Sequence, residues 1–150
     1  MNKSTIKSEL IENCVNHLQE TIDHIEYAMS EAQKSANEYG QPKDRYDSYR
    51  TQLLRKRDLF SKQLREAIKQ MDIIRKVDPA ITADRASFGA IVKTNAQIVF
   101  IAVGLGKIHH AGTDYFVISP QVPIFEAMRD KQKGEEFSFR GNTQTIMDIF

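Results

Sequence analysis

The sequence predicts an α+β protein: an N-terminal antiparallel two-helix coiled-coil hairpin followed by a small antiparallel β domain with one short helix. Three observations carry that prediction. The first 77 residues hold one glycine, Gly40, and one proline, Pro42. Within them an apolar residue recurs every three or four positions. From Ser87 onward the composition changes to Val, Ile and Phe, interrupted by turn residues.

The first helix follows from Ile11, Val15, Leu18, Ile22, Ile25, Met29, Ala32 and Ala36, which step alternately by four and three. An unbroken heptad seam of this kind packs along its length against a partner helix. The partner begins after Gly40-Gln41-Pro42, where Leu53, Phe60, Leu64, Ala67, Met71 and Ile74 continue at heptad-compatible spacing and Arg57 takes one seam position. Tyr46 and Tyr49 stand at i and i+3 near the break. Two arms of roughly 33 residues joined by a tight connection fold back on each other, each about 50 Å long at the helical rise per residue.

The β region reads as strands over Gly89–Lys93, Ala96–Val103 and Tyr115–Ser119. A short helix over Pro123–Asp130 follows, started by Pro123. Glu135–Arg140 and Thr143–Phe150 then form two strands around a tight turn at Gly141-Asn142. Val77-Asp78-Pro79 and Ala80–Ala86 make the hinge. The expected domains are therefore 1–79, with its tip near 40–47, and 80–150.

Charge is distributed unevenly beneath a net +1. Residues 1–40 carry 3 basic and 7 acidic groups, residues 41–79 carry 11 and 6, and residues 80–150 carry 7 and 7. An acidic arm thus precedes a basic one, which favours their pairing although exposed ion pairs contribute little each. At 41% hydrophobic and 27% charged residues the chain is of ordinary globular type. No run reaches a membrane span, so no membrane partner is expected. Met1–Glu12 lacks the apolar core of a secretory signal, and the single Cys14 precludes an internal disulfide; both point to the cytoplasm. Cys14 flanks the seam as a buried structural thiol.

Few residues suggest chemistry. Gly104-Leu105-Gly106 follows a strand but opens no helix, so it lacks the setting of a dinucleotide fingerprint. His109 and His110 are adjacent, and in a strand they face opposite sides, which suits an exposed hairpin better than a shared metal. Ser119 lacks a nucleophile-elbow setting. The basic residues Arg50, Arg55, Lys56, Arg57 and Lys62 either complement the acidic arm or meet phosphates and acidic surfaces, in which case nucleic-acid contact is salt-dependent and non-specific. At the tip, Asp44 and Asp47 stand at i and i+3 beside Arg45. They either compensate a helix N-terminus or deliver charge into a narrow cavity of another macromolecule.

Several strings in the second half occur in a recognisable order: Phe88-Gly89-Ala90-Ile91-Val92, Tyr115-Phe116-Val117-Ile118-Ser119-Pro120, Pro123-Ile124-Phe125-Glu126-Ala127-Met128, Lys131-Gln132-Lys133-Gly134-Glu135-Glu136-Phe137 and Thr145-Ile146-Met147-Asp148-Ile149. Preceded by a helical hairpin of this length, they resemble the Gre family of bacterial transcript-cleavage factors over nearly the whole chain. The resemblance implies an FKBP-like C-terminal domain that docks on RNA polymerase at its secondary channel. It implies a coiled coil that enters the channel, with Asp44 and Asp47 as tip acids. Those acids assist a Mg²⁺ shared with the polymerase, which itself cleaves backtracked RNA.

On this reading the chain is an accessory factor, not an enzyme. It binds no cofactor stably, meets nascent RNA only indirectly and is monomeric. Arg45, Arg50, Arg55, Lys56, Arg57 and Lys62 form the basic face toward RNA and polymerase. Docking falls to Ser119, Pro120, Pro123, Ile124, Phe125 and Met128, although those apolar residues equally close a small β core. The tip departs from the family where Gln41 replaces the first acid. A neutral amide does not substitute for a carboxylate on Mg²⁺, so a non-cleaving channel regulator is the alternative. An FKBP-like prolyl isomerase or chaperone, and a self-associating coiled-coil protein, are the readings from other classes.

Overall fold

The computed structural model describes residues 2–41 and 48–150. Two helices come first, α1 (Lys3–Tyr39) and α2 (Ser48–Ile74). Six strands and a short helix follow: β1 (Ile91–Thr94), β2 (Ile98–Ile101), β3 (Gly106–His110), β4 (Thr113–Ile118), α3 (Pro123–Met128), β5 (Glu136–Phe139) and β6 (Asn142–Ile149). The chain forms two compact units, Asn16–Met71 on one hand and Met1–Val15 with Asp72–Phe150 on the other.

Within Asn16–Met71 the helices are antiparallel. The Tyr39 and Tyr49 rings meet edge-on at 4.9 Å, and farther along each helix Arg57 Nη1 donates to Gln33 Oε1 at 2.6 Å. Burial follows the heptad seam: Leu18, Ile22, Ala32 and Ala36 of α1 and Ala67 and Met71 of α2 are buried. Ile25, Met29, Leu53, Phe60 and Leu64 are half-buried, as a two-helix seam with solvent on both flanks must leave them. α1 ends where Gly40 takes a positive φ of 86° and its N–H returns to the Ala36 carbonyl at 3.2 Å. Glycine enters that left-handed conformation without a Cβ clash.

In the other unit the six strands run in the order β3-β4-β2-β1-β6-β5. All neighbours are antiparallel except β2 and β4, which pair parallel with Val99 opposite Phe116 and Ile101 opposite Ile118. The sheet is thus the antiparallel β domain that the sequence predicts, with one parallel pair within it. The parallel pair arises because β3 leaves β2 and folds back on the far side of β4, through a two-residue turn at Ala111-Gly112. Both turn residues have positive φ, 49° and 79°, the geometry that matches strand twist in a tight hairpin. The β5–β6 turn is Arg140-Gly141, one residue earlier than the expected Gly141-Asn142, because Asn142 already pairs with Phe139.

Strand alternation gives the sheet two buried faces. On one, Val92, Val99, Ile101, Phe137, Ile146 and Ile149 pack with Phe125 and Met128 of α3. On the other lie Ile91, Phe100, Val117, Ile108 and Tyr115, all buried. His110 and Asp148 share this second face by register. Each is tied to α1, His110 Nε2 to Glu9 at 3.3 Å and Asp148 to Lys3 Nζ at 2.9 Å. The start of α1 therefore runs over that face, and its buried stripe is Lys7, Leu10 and Cys14. The expected seam residues Ile11 and Val15 are only half-buried there. Covering a broad sheet shifts the buried stripe by one residue from the line that suits a single partner helix.

Candidate functional site

No single catalytic cleft organises the described residues, so each proposed site has to be located separately. Asp44, Arg45 and Asp47 lie outside the described residues. The flanking Gln41 and Ser48 are exposed.

The basic face divides into two groups. Arg55, Lys56 and Lys62 are exposed on α2, with the Lys56 ammonium 6.0 Å from the Phe60 ring centre. Arg50 and Arg57 are half-buried. Arg57 is engaged by Gln33 and by the Asp58 carboxylate at 2.8 Å. Arg50 Nε is buried with no hydrogen-bond partner among the described residues. Of the five described cations, Arg57 is thus the one bonded across the helix pair.

The corner between β4 and α3 also divides. Phe125 and Met128 are buried in the core under the sheet. Pro123 is exposed, and Ser119, Pro120 and Ile124 are half-buried. The Ser119 hydroxyl donates to Gln121 Oε1 and accepts the Gln121 N–H at 3.2 Å, a local turn that delivers the chain to α3. Pro123 stands at the first position of α3 and needs no N–H there. What this corner offers a partner is Pro123, Ile124 and the turn.

The residues weighed for chemistry have structural surroundings. Cys14 is buried, and burial pushes its thiol up to about 11, so it is a protonated packing group. His109 and His110 do face opposite ways: His109 Nδ1 lies 2.7 Å from Asp114 on the face shared with Val99 and Phe116, exposed at this edge of the sheet, whereas His110 meets Glu9 and Asn13. The hydrogen bond from His109, aided by Lys107, holds Asp114 below the usual carboxylate range. Among the described residues no group of three or more His, Cys, Asp or Glu side chains could hold a metal ion. Phe100, Tyr115, Phe125 and Phe137 are buried core residues, which leaves Phe88 and Phe116 as the exposed large rings of the sheet unit. No described helix is long and apolar enough to cross a membrane.

Lys7 went unnoticed in the sequence. It is 2% exposed, and burial lowers its ammonium pKa while Asp78 acts to raise it. A signal existed: Lys7 sits three residues before Leu10 and seven before Cys14, on the stripe that α1 buries. Glu9 and Asn13 carried no such signal, since their partner His110 is about a hundred residues away in sequence.

No protein-family model matches the chain, and no curated protein matches it in sequence. Among solved structures it is similar to the crystal structure of GreA factor homolog 1 (Gfh1) protein of Thermus thermophilus. The identity is 12% and the TM-score 0.34, over 91% of this chain and 94% of that one. A likeness at that score says nothing of activity.

Proposed function

We propose that this chain is a Gre-like accessory factor of transcription elongation. It binds RNA polymerase at the secondary channel, inserts the 40–47 connection of its helix pair and modulates the active centre there. The observation that supports this reading is the order of the resembling strings along the fold. Tyr115–Pro120 closes β4, Pro123–Met128 is α3, Lys131–Phe137 leads into β5 and Thr145–Ile149 lies in β6, all after a long antiparallel helix pair.

The chemistry at the channel is the polymerase's. Phosphodiester hydrolysis by two metal ions needs negative ligands to localise the weakly held Mg²⁺, and Asp44 and Asp47 are the carboxylates available for it. With Gln41 in place of a third, the site is poorer in charge than the cleaving members of the family. The same insertion without added cleavage obstructs the channel and regulates the polymerase.

Co-purification tests the partner: the full chain retains RNA polymerase, and deletion of residues 80–150 loses it. A backtracked elongation complex with Mg²⁺ then tests the activity. Faster RNA shortening that Asp44→Ala or Asp47→Ala abolishes identifies a cleavage factor. Binding with no such acceleration identifies a channel regulator. If no polymerase is retained, the proposal fails.

A further inference from the structure

A buried charge in a folded protein is normally paired, because removing an ion from water is costly. Lys7 breaks that rule. Its side chain is almost completely buried, yet among the described residues its ammonium meets one acceptor, the Ile81 carbonyl at 3.1 Å. An ammonium has three N–H donors, so two are left over. No described carboxylate stands within ion-pair distance of it; the nearby Asp78 uses Oδ1 to accept the Ala80 N–H at 2.9 Å.

Lys7 also lines a cavity of about 220 Å³. Val77, Ile81, Ala83 and Phe88 give it an apolar wall, and Lys76 and Asp78 are its other charged residues. Ile81 and Phe88 are among the exposed large apolar side chains of the chain. The volume equals roughly seven waters at about 30 Å³ each, room for a small organic group as well as its solvation.

We infer that this cavity binds a carboxylate carried on a short apolar body, with the Lys7 ammonium as its anchor. The anion supplies the contact ion pair and the acceptors that Lys7 lacks, and the apolar body covers the wall of Ile81 and Phe88. A monoanion fits better than phosphate, since Asp78 offsets one of the two lining cations, Lys7 and Lys76, and apolar walls cannot solvate a second negative charge. The carboxylate belongs either to a free short-chain acid or to the C-terminus of a peptide. The inference is independent of the polymerase reading.

The test is a titration of the full-length protein, with lysine ¹³Cε and ¹⁵Nζ labels, against acetate, butyrate and inorganic phosphate at constant ionic strength. Butyrate is expected to shift the Lys7 resonances saturably and more tightly than acetate, and to raise Tm as a ligand of the folded state does. Lys7→Met keeps most of the stem and removes the charge; butyrate affinity should fall at least tenfold. A short peptide ending in an aliphatic residue is then compared with its C-terminal amide. Tighter binding of the peptide acid than of butyrate identifies a protein-borne carboxylate, and the reverse identifies a free acid. A Lys7 response that drifts linearly like that of exposed lysines overturns the proposal in the wild-type protein, whether or not Lys7→Met folds. Preference for phosphate, equal binding of the amide, or undiminished affinity in Lys7→Met overturns it too.

Discussion

The two compact units bury their side chains by different rules. Among the described residues of Asn16–Met71 the buried hydrophobics are Leu18, Ile22, Met71 and three alanines. In the other unit they include Leu10, Ile74, Ile91, Phe100, Ile101 and Met128, several of them with no exposure at all. A two-helix seam has solvent on both flanks, so even Leu53, Phe60 and Leu64 stay half-buried. A sheet covered on both faces has no such flanks. The helix pair is thus held by close approach of small residues and by side-chain bonds along its edge, the sheet unit by an interior closed to water.

The largest effect that could break this contrast is in the sheet. Phe100→Ala removes a ring with 0% exposure and should cost about 3–5 kcal/mol by denaturant unfolding. Leu53→Ala, on the half-buried seam, should cost clearly less; equal losses would mean that the two units are packed alike. Ala36→Leu sharpens the same point from the other side. A larger side chain at a fully buried alanine of the helix pair should cost about 1–3 kcal/mol, read as a lower Tm.

Two smaller effects probe the start of α1 over the sheet. The Cys14 thiol, ordinarily near 9.0, is pushed up to about 11 in the folded chain. Its folded-state pKa is raised, so the stability it contributes is present below pH 9 and is lost as pH rises toward 11. Cys14→Ala should therefore lose stability less steeply than wild type across that window, by up to about 2 kcal/mol. Lys7 acts in the opposite sense, since its lowered pKa means that deprotonation on the way to 10.5 relieves a buried charge. Wild-type stability should therefore gain from Lys7 as pH rises toward 10.5, and unfolding of Lys7→Met over that rise, where the gain is absent, isolates the contribution.

The smallest effect concerns Lys3 and Asp148. The hydrogen bond from Lys3 holds the Asp148 carboxyl below its ordinary value, so its contribution is present above pH 3.8 and fades as pH falls below it. Lys3→Ala should cost under about 1 kcal/mol at neutral pH and nothing measurable once Asp148 is protonated.

Much of the local structure was legible. The absence of Gly and Pro from both arms, and the seam ending in Ala32 and Ala36, specified two helices and a turn at Gly40. The Val, Ile and Phe runs marked β1, β2 and β4 to within a few residues. β3 is the strand the sequence does not predict: His109-His110 suits an exposed hairpin, and Gly106-Lys107 carries no strand signal of its own. At the sites, Phe125 and Met128 were proposed for docking but face the core. Arg57, expected on a basic face, is half-buried and bonded to Gln33 of the facing helix. Apolar and long cationic side chains serve surface and interior equally well, and composition alone does not separate the two uses.

The sequence by itself determined the two long helices, the short helix and every strand but β3, since those follow from periodicity and from where Gly and Pro fall. Only the tertiary structure decided that β4 lies beside β2, that Leu10 and Cys14 replace Ile11 and Val15 in the buried stripe, and that Lys7 is enclosed beside a cavity. Each of these depends on a partner more than fifteen residues away. A local pattern records which face of a segment is apolar; what that face meets depends on how distant segments pack.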